Sequence, residues 1–532
     1  MNGWYKNFRA NSFSLTQLSW LLVLLSVAIL LPSIGATDFH TKGEPREVSV
    51  AYFMLQQHDF ILPVDNAGDI PYKPPMFYWL MALSGIVFGS LSEFACRFPS
   101  ALALIGFVVV TFRFYASDRR VAILTAIILL TSFECFRAGT NCRVDMVLTF
   151  FMCAAMMLLF QFSRKGRRKW LTALGIILSL SCAALTKGPV GVFLPLAVWW
   201  IYSVLISNRW WLVTLFAFAF AVLSLILPAL YYMAAWERGG AGFLALAYEE
   251  NFGRLLGTMS YDSHVKPLWY NFTSLITGWM PWTVIFLVMV LALYFKGGAN
   301  RLPKRIRQRL FSLRDIRLYS LVAVLVVFFF YCIPSSKRSV YLLPLYPFLA
   351  FFIARGLIRM QLRLRMSGRC LRVCTCTICV LYPILFGAVL PMVLNAKSDR
   401  TIAGDINRIV PSNEPVYTFI PDRFMRYYIM DYYLGYRMYP LLPSGQTMGN
   451  NFSTYAGEAR FPADSVFYVA VSSKVWEGNP ITVRAENMKG TDFGFRHRLE
   501  MEGLEAEKIY TSPYPTHDIQ GNLILLKLHR RK

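Results

Sequence analysis

A chain of 532 residues that is 56% hydrophobic and 16% aromatic, yet carries a formal net charge of +24, is too apolar for an ordinary soluble domain. Its basic residues gather in short clusters between apolar runs. That excludes a nucleic-acid-binding face and suits the cytoplasmic loops of a polytopic membrane protein.

The first apolar run, Leu18 to Ala36, is longer than a signal-peptide core and reads as an anchor. Residues 37–97 follow as a first loop that keeps both signs of charge: Asp38, Lys42, Glu44, Arg46, Glu47, Asp65, Asp69 and Lys73. Charge beside a bilayer is expensive, so a long loop that retains it points to a site working at the membrane surface. The loop ends in Pro74-Pro-Met-Phe-Tyr-Trp-Leu80, and Pro75 to Gly89 reads as a helix lying along the interface.

Further apolar segments centre near 107, 129, 153, 178, 198, 222, 284, 325, 348 and 386. With Lys6 and Arg9 inside and Pro75 to Gly89 not crossing, Arg119-Arg120, Arg164 to Lys169, Lys304 to Arg309 and Arg355 to Arg372 all fall on the cytoplasmic side. Residues 171–206 are too long for one span, about 54 Å at helical rise, so Thr186-Lys-Gly-Pro189 must break them. This gives eleven spans and a domain of residues 1–397 that includes the first loop. Residues 398–532 follow as an extracytoplasmic α/β domain, with strands expected at Pro415 to Ile420, Val466 to Ser472 and Leu523 to Leu528 and a helix at Arg423 to Tyr433. No cysteine lies beyond Cys379, so that domain folds without disulfides.

The same topology brings Glu44, Arg46, Asp65, Asp69, Lys73, Arg137, Arg143, Asp145, Lys187, Glu249, Glu250, Arg254, Asp262, His264, Lys266, Lys337, Arg338 and Tyr341 to the outer side. Many cations with fewer carboxylates suit an anionic lipid headgroup, above all a phosphate or diphosphate. Each residue also has a plain structural role open to it: Lys73 can snorkel, Lys187 can cap helix carbonyls, and Arg143 can pair with Asp145. Nucleotide-binding glycine loops, an Asp-x-Asp triplet and His-Glu-x-x-His are all absent from the sequence. Cys370, Cys374, Cys376 and Cys379 lie at the rim of a span and read as packing rather than metal ligands.

Several blocks recur in a telling order. They are Gly43-Glu-Pro-Arg-Glu47, Gln57-His-Asp-Phe60, Lys73-Pro-Pro-Met-Phe-Tyr-Trp-Leu80, Arg97-Phe-Pro-Ser-Ala-Leu102, Arg143-Val-Asp-Met146, Leu185-Thr-Lys-Gly-Pro-Val190, His264-x-x-Pro-x-Trp-Tyr270 and Ser336-Lys-x-x-x-Tyr-Leu-Leu-Pro344. In these the chain resembles the GT-C superfamily of polyprenyl-phosphate-sugar glycosyltransferases, most of all the bacterial lipid A aminoarabinose transferases and the protein O-mannosyltransferase relatives.

The resemblance implies a GT-C fold of about 11–13 transmembrane helices in the bacterial inner membrane, with the active site and C-terminal domain on the periplasmic side. It implies inverting transfer of a sugar from a polyprenyl-phosphate donor to a lipid, glycan or protein acceptor. The alternative reading is a flippase for an anionic lipid-linked glycan. Carried over residue by residue, Glu44 and Asp145 are the catalytic carboxylates, and Lys73, Lys187, Lys337 and Tyr341 hold the donor phosphate. Arg46, Arg143 and Arg254 position the acceptor or loops. The chain departs from the family pattern at Gly43, where an Asp-Glu pair is usual, and at Tyr72, where the aminoarabinose enzymes carry an acid. The resemblance therefore fixes no cofactor; the one candidate is a divalent metal ion, with His264 its remaining ligand.

Overall fold

The computed structural model describes residues 13–71, 73–164, 169–207, 209–253, 265–295, 316–419, 426–441, 461–478, 495–519 and 521–530. The chain forms two compact units. One comprises residues 1–35, 72–80 and 97–388; the other comprises 36–71, 81–96 and 389–532.

The first unit is helical because apolar backbone in lipid must satisfy its hydrogen bonds within each segment. Helices long and apolar enough to cross a bilayer include Leu15–Ile34, Glu93–Phe114, Val144–Phe162, Lys169–Lys187 and Trp210–Asn251, and there are seven of them among the described residues. Two bent pairs, Arg119–Leu130 with Phe133–Thr140 (59°) and Tyr270–Gly278 with Trp282–Phe295 (91°), bring the count to nine if each is one span. Val190–Ile206 and Ile316–Phe330, of 17 and 15 residues, are apolar helices at the two remaining expected crossings. The chain is thus a multi-pass membrane protein. The segment expected to lie along the interface is a helix, Met76–Phe88, of only 13 residues, which rises about 20 Å against a hydrocarbon core of about 30 Å.

The helices pack through buried aromatics. Tyr115 stacks on Phe351 at 4.2 Å between ring centroids, and Tyr319 Oη donates to the Met156 carbonyl at 2.5 Å. Arg97, only 2% exposed, donates from Nη1 to the carbonyl of Ile34 (3.1 Å), an oxygen left over at the end of the first helix.

The second unit is built on a five-stranded sheet ordered β2-β1-β3-β5-β4. β1 is Val416–Thr418, β2 Met438–Pro440, β3 Val466–Ser472, β4 Leu504–Thr511 and β5 Leu523–Arg530. β1 runs parallel to β2 and β3, while β5 is antiparallel to β3 and β4. The three strands expected from sequence are present, and β2 and β4 are additional. The expected helix at Arg423 to Tyr433 is the shorter Tyr428–Tyr433; residues 423–425 lie outside the described residues.

The core of this sheet includes Val469, Val471, Leu525 and Leu526, and it also takes in Ala67 from the first loop. The helix Gly43–Gln57, which carries Glu44, belongs to the same unit. Its Tyr52 ring stacks on Tyr436 at 4.0 Å. The first loop is therefore grouped with the C-terminal residues rather than with the membrane helices that flank it in sequence.

Candidate functional site

The helical unit gathers charge at the break between Lys169–Lys187 and Val190–Ile206. Gly188 ends the first helix with φ +82°, a conformation that favours glycine, and its N–H donates to the Ala184 carbonyl at 2.7 Å. A Cβ there would lie 1.9 Å from Asn251 Oδ1, so the position has neither backbone nor spatial room for a side chain. This turn presents Lys187 as the last helical residue.

Lys187 Nζ donates to Asp145 Oδ1 at 2.6 Å and stands 4.4 Å from the centroid of the Tyr341 ring. Asp145 sits in the first turn of Val144–Phe162, 6% exposed, where an anion suits the helix N-terminus. Its carboxylate feels the charges of Lys187, Arg338 and Lys73. Tyr341 lies in the 3₁₀ turn Ser339–Leu345 and packs against Tyr331 at 5.6 Å. One carboxylate, two aromatic rings and three cations therefore surround one spot, with the lysine held by a charge-assisted hydrogen bond and a ring face. The net positive balance fits an incoming phosphate.

The other expected residues fall differently. Lys337 is only 4% exposed and donates to the Pro334 carbonyl at 2.6 Å, so its ammonium is turned onto backbone. Its neighbour Arg338 supplies charge to Asp145 instead. Arg143 has a buried Nη1 with no hydrogen-bond partner among the described residues, while its carbonyl accepts from Ser100 Oγ. Glu44, 5% exposed, and Arg46, whose Nη2 is 3.8 Å from Glu47, lie in the sheet-bearing unit. Arg254 and His264 lie outside the described residues.

Arg137, expected from sequence on the outer side beside Arg143 and Asp145, was given no role of its own. It grips the buried Glu134 with two bonds, of 3.1 and 2.6 Å, reaches Ser339 Oγ at 3.4 Å, and its charge acts with that of Asp145. The Glu134-x-x-Arg137 spacing on a helix was a visible signal for the pair, though not for its place beside the Tyr341 turn.

A divalent metal does not fit the residues described. No group of three or more His, Cys, Asp or Glu side chains assembles among them, and Asp145 and Glu134 are each held by a cation. Lys187, Arg338 and Lys73 would repel a metal ion at the Asp145 carboxylate.

Comparison with known proteins agrees with this architecture. Residues 72–232 match the family described as dolichyl-phosphate-mannose-protein mannosyltransferase. An undecaprenyl phosphate-alpha-4-amino-4-deoxy-L-arabinose arabinosyl transferase from Shewanella sediminis is 27% identical over 357 residues, which cover 64% of this chain and 60% of that protein. The chain thus spans less than two thirds of that relative. The crystal structure of ArnT from Cupriavidus metallidurans bound to undecaprenyl phosphate superposes with a TM-score of 0.68 at 16% identity, covering 97% of this chain and 98% of that one. The oligosaccharyltransferase of Archaeoglobus fulgidus, in its apo form, superposes with a TM-score of 0.56 at 11% identity over 97% and 81% of the two chains. The chain thus shares the fold of these two structures over nearly its whole length, and the family match takes in the Lys73, Asp145 and Lys187 blocks.

Proposed function

We propose that this protein is an inverting glycosyltransferase that takes a sugar from a polyprenyl-phosphate donor and transfers it to a lipid, glycan or protein acceptor. The observation that carries the reading is the Lys187–Asp145–Tyr341 cluster with Arg338 and Lys73 around it, an excess of cations built for a phosphate. The names of its relatives, which act on undecaprenyl-phosphate aminoarabinose, support the same donor class. The site is assigned to the outer face of the bacterial inner membrane, because the basic stretch Arg355 to Arg372 belongs with cytoplasmic charge.

In the transfer, the bond between the anomeric carbon and the phosphate oxygen breaks, and its electron pair leaves with undecaprenyl phosphate. The acceptor oxygen attacks the opposite face of the sugar, and its proton passes to a carboxylate base. Lys187, Lys73 and Arg338 meet the charge that develops on the leaving phosphate, with Tyr341 beside them. Asp145 holds Lys187 in place. Glu44 is assigned the acceptor proton on the strength of the resemblance; an acceptor that is already an anionic phosphate needs no base. Arg143 and Arg46 position the acceptor or the loops.

The test is release of undecaprenyl phosphate by purified full-length protein in proteoliposomes, from a panel of undecaprenyl-phosphate pentoses and hexoses. Turnover with at least one donor, abolished in Lys73→Ala and Lys187→Ala, is the expected result. Movement of the lipid across the bilayer with no undecaprenyl phosphate released would replace the enzyme by a flippase.

A further inference from the structure

The sheet-bearing unit contains two arginines that each tie down a pair of first-loop carboxylates. Arg400, just after the start of the helix Asp399–Ile409, pairs with Asp38 at 3.1 Å and with Glu93, and its guanidinium lies 5.1 Å from the Tyr433 ring centroid. The same end is fixed by Ser398 Oγ donating to Asp38 Oδ2 at 2.5 Å. Phe39 N–H donates to Tyr433 Oη at 2.9 Å, and Tyr433 Oη in turn donates to Glu93 at 2.8 Å. Arg426, only 9% exposed, pairs with Asp69 at 2.6 Å and with Asp65, and it lies 4.6 Å from the Tyr428 ring centroid. Asp65 also closes its own turn by accepting from the N–H groups of Ala67 (2.9 Å) and Asp69 (3.0 Å). Asn66 donates to the Tyr436 carbonyl at 2.7 Å.

The placement of these ties along the chain is informative. Asp38 and Phe39 immediately precede the helix Gly43–Gln57, and Asp65 to Asp69 follow it. Between them, Tyr52 of that helix stacks on Tyr436. The segment bearing Glu44 is thus held before, along and after its helix by residues of 395–436. Arg426 spreads its two carboxylates over Nη1 and Nη2, a planar fork that a compact ammonium matches less well, while Arg400 meets both of its carboxylates from Nη2. A carboxylate that must meet a proton within hydrogen-bond reach loses rate when its support shifts by a fraction of an ångström.

We infer that Arg426 and Arg400 are positioning residues for Glu44, so that the C-terminal unit acts as the frame of the catalytic first loop rather than as an appended module. The inference rests on the functional reading above. It assigns the C-terminal unit a part in the chemical step, separate from binding of the donor phosphate by Lys187 and Tyr341.

The experiment compares wild type, Arg426→Gln, Arg426→Lys, Asp65→Asn/Asp69→Asn and the Arg426→Gln combination of all three sites. Two readouts are taken on the full-length protein: turnover in the donor panel, and the Kd for undecaprenyl phosphate itself. The expected result is a kcat loss of tenfold or more in Arg426→Gln and a smaller loss in Arg426→Lys. Asp65→Asn/Asp69→Asn should lose as much as Arg426→Gln, with no further loss in the combination and Kd within twofold of wild type throughout. Arg400→Gln should show the same split, which keeps the inference testable if Arg426→Gln fails to fold. Unchanged kcat in both arginine variants, or losses that multiply in the combination, would overturn it. A wild-type protein that releases undecaprenyl phosphate from no donor overturns the functional reading and this inference with it. A working wild type with unaffected arginine variants overturns the inference alone.

Discussion

Lys187 and Asp145 come from helices 42 residues apart in sequence and meet at 2.6 Å, with the lysine 21% exposed and the carboxylate 7%. The pair is partly open on the lysine side, so the ammonium can share its charge with a ligand while the aspartate fixes its position.

Replacing Asp145 by Asn separates these two effects. The variant removes a negative charge that opposes an incoming phosphate, and it leaves Lys187 less firmly oriented. Undecaprenyl phosphate should bind a few-fold more tightly, while turnover should fall by about a hundredfold, the loss typical of a misplaced electrostatic group. Equilibrium binding and single-turnover kinetics on the same preparation check the opposite signs.

The turn after Lys187 should tolerate nothing larger than glycine. Gly188→Ala forces a Cβ into a φ of +82° and toward Asn251 Oδ1 at 1.9 Å. The combined strain and clash should lower stability by about 2 kcal/mol or more. Thermal unfolding in detergent would show this as a lower Tm, accompanied by lost turnover because Lys187 is displaced.

Adjacent basic residues should behave unalike. Arg338→Gln should weaken undecaprenyl phosphate binding by about tenfold, the worth of one charge-assisted hydrogen bond. Lys337→Met should leave that Kd within about twofold but lower thermal stability by about 1–3 kcal/mol, because the Pro334 carbonyl loses its buried partner.

A pH effect is expected in the sheet-bearing unit. Burial pushes the Asp431 carboxyl up to about 7, although the Met438 N–H and the Arg426 charge both favour its anion. An unfolded aspartate titrates near 4. Between about pH 4 and 7 the folded chain therefore holds a proton that the unfolded chain has lost, and stability falls as pH rises across that window. Above pH 7 both forms are ionised and the slope vanishes. Asp431→Asn should lessen the slope and raise stability at neutral pH, and the buried Asp518 carboxyl, also pushed up to about 7, should keep the remainder. Hydrogen-exchange protection of residues 428–440, corrected for intrinsic exchange, measures it.

Much of the helical unit was legible because a bilayer imposes simple demands. Runs of apolar residues long enough to cross become helices, and within 171–206 the length calls for a break that the Gly188-Pro189 pair locates. The short helix Met76–Phe88 was legible from its apolar run, and its expected place along the interface rests on the sidedness of the basic loops. Lys187 and Asp145 could be named, but their direct bond could not, since it depends on which helix faces which. The difference between Lys337 and Arg338 is a matter of how the Ser339–Leu345 turn rotates, which no local pattern encodes. Least legible was the grouping of the first loop with the C-terminal strands. Asp65 and Asp69 look like ordinary loop charges until Arg426 is seen between them, and sequence separation hides that pairing.

The interleaving of the two units has a consequence for biogenesis. Residues 36–71 are synthesised early, yet Arg400, Arg426 and the core that encloses Ala67 are translated only after the helical bundle. Domains usually mature from the N-terminus as they emerge. Here the earliest segment of the sheet-bearing unit must wait, without Arg400 and Arg426, for the last part of the polypeptide. A ribosome stalled or a chain truncated before residue 400 would leave a complete set of spans carrying an unfinished loop, a natural substrate for quality-control proteases.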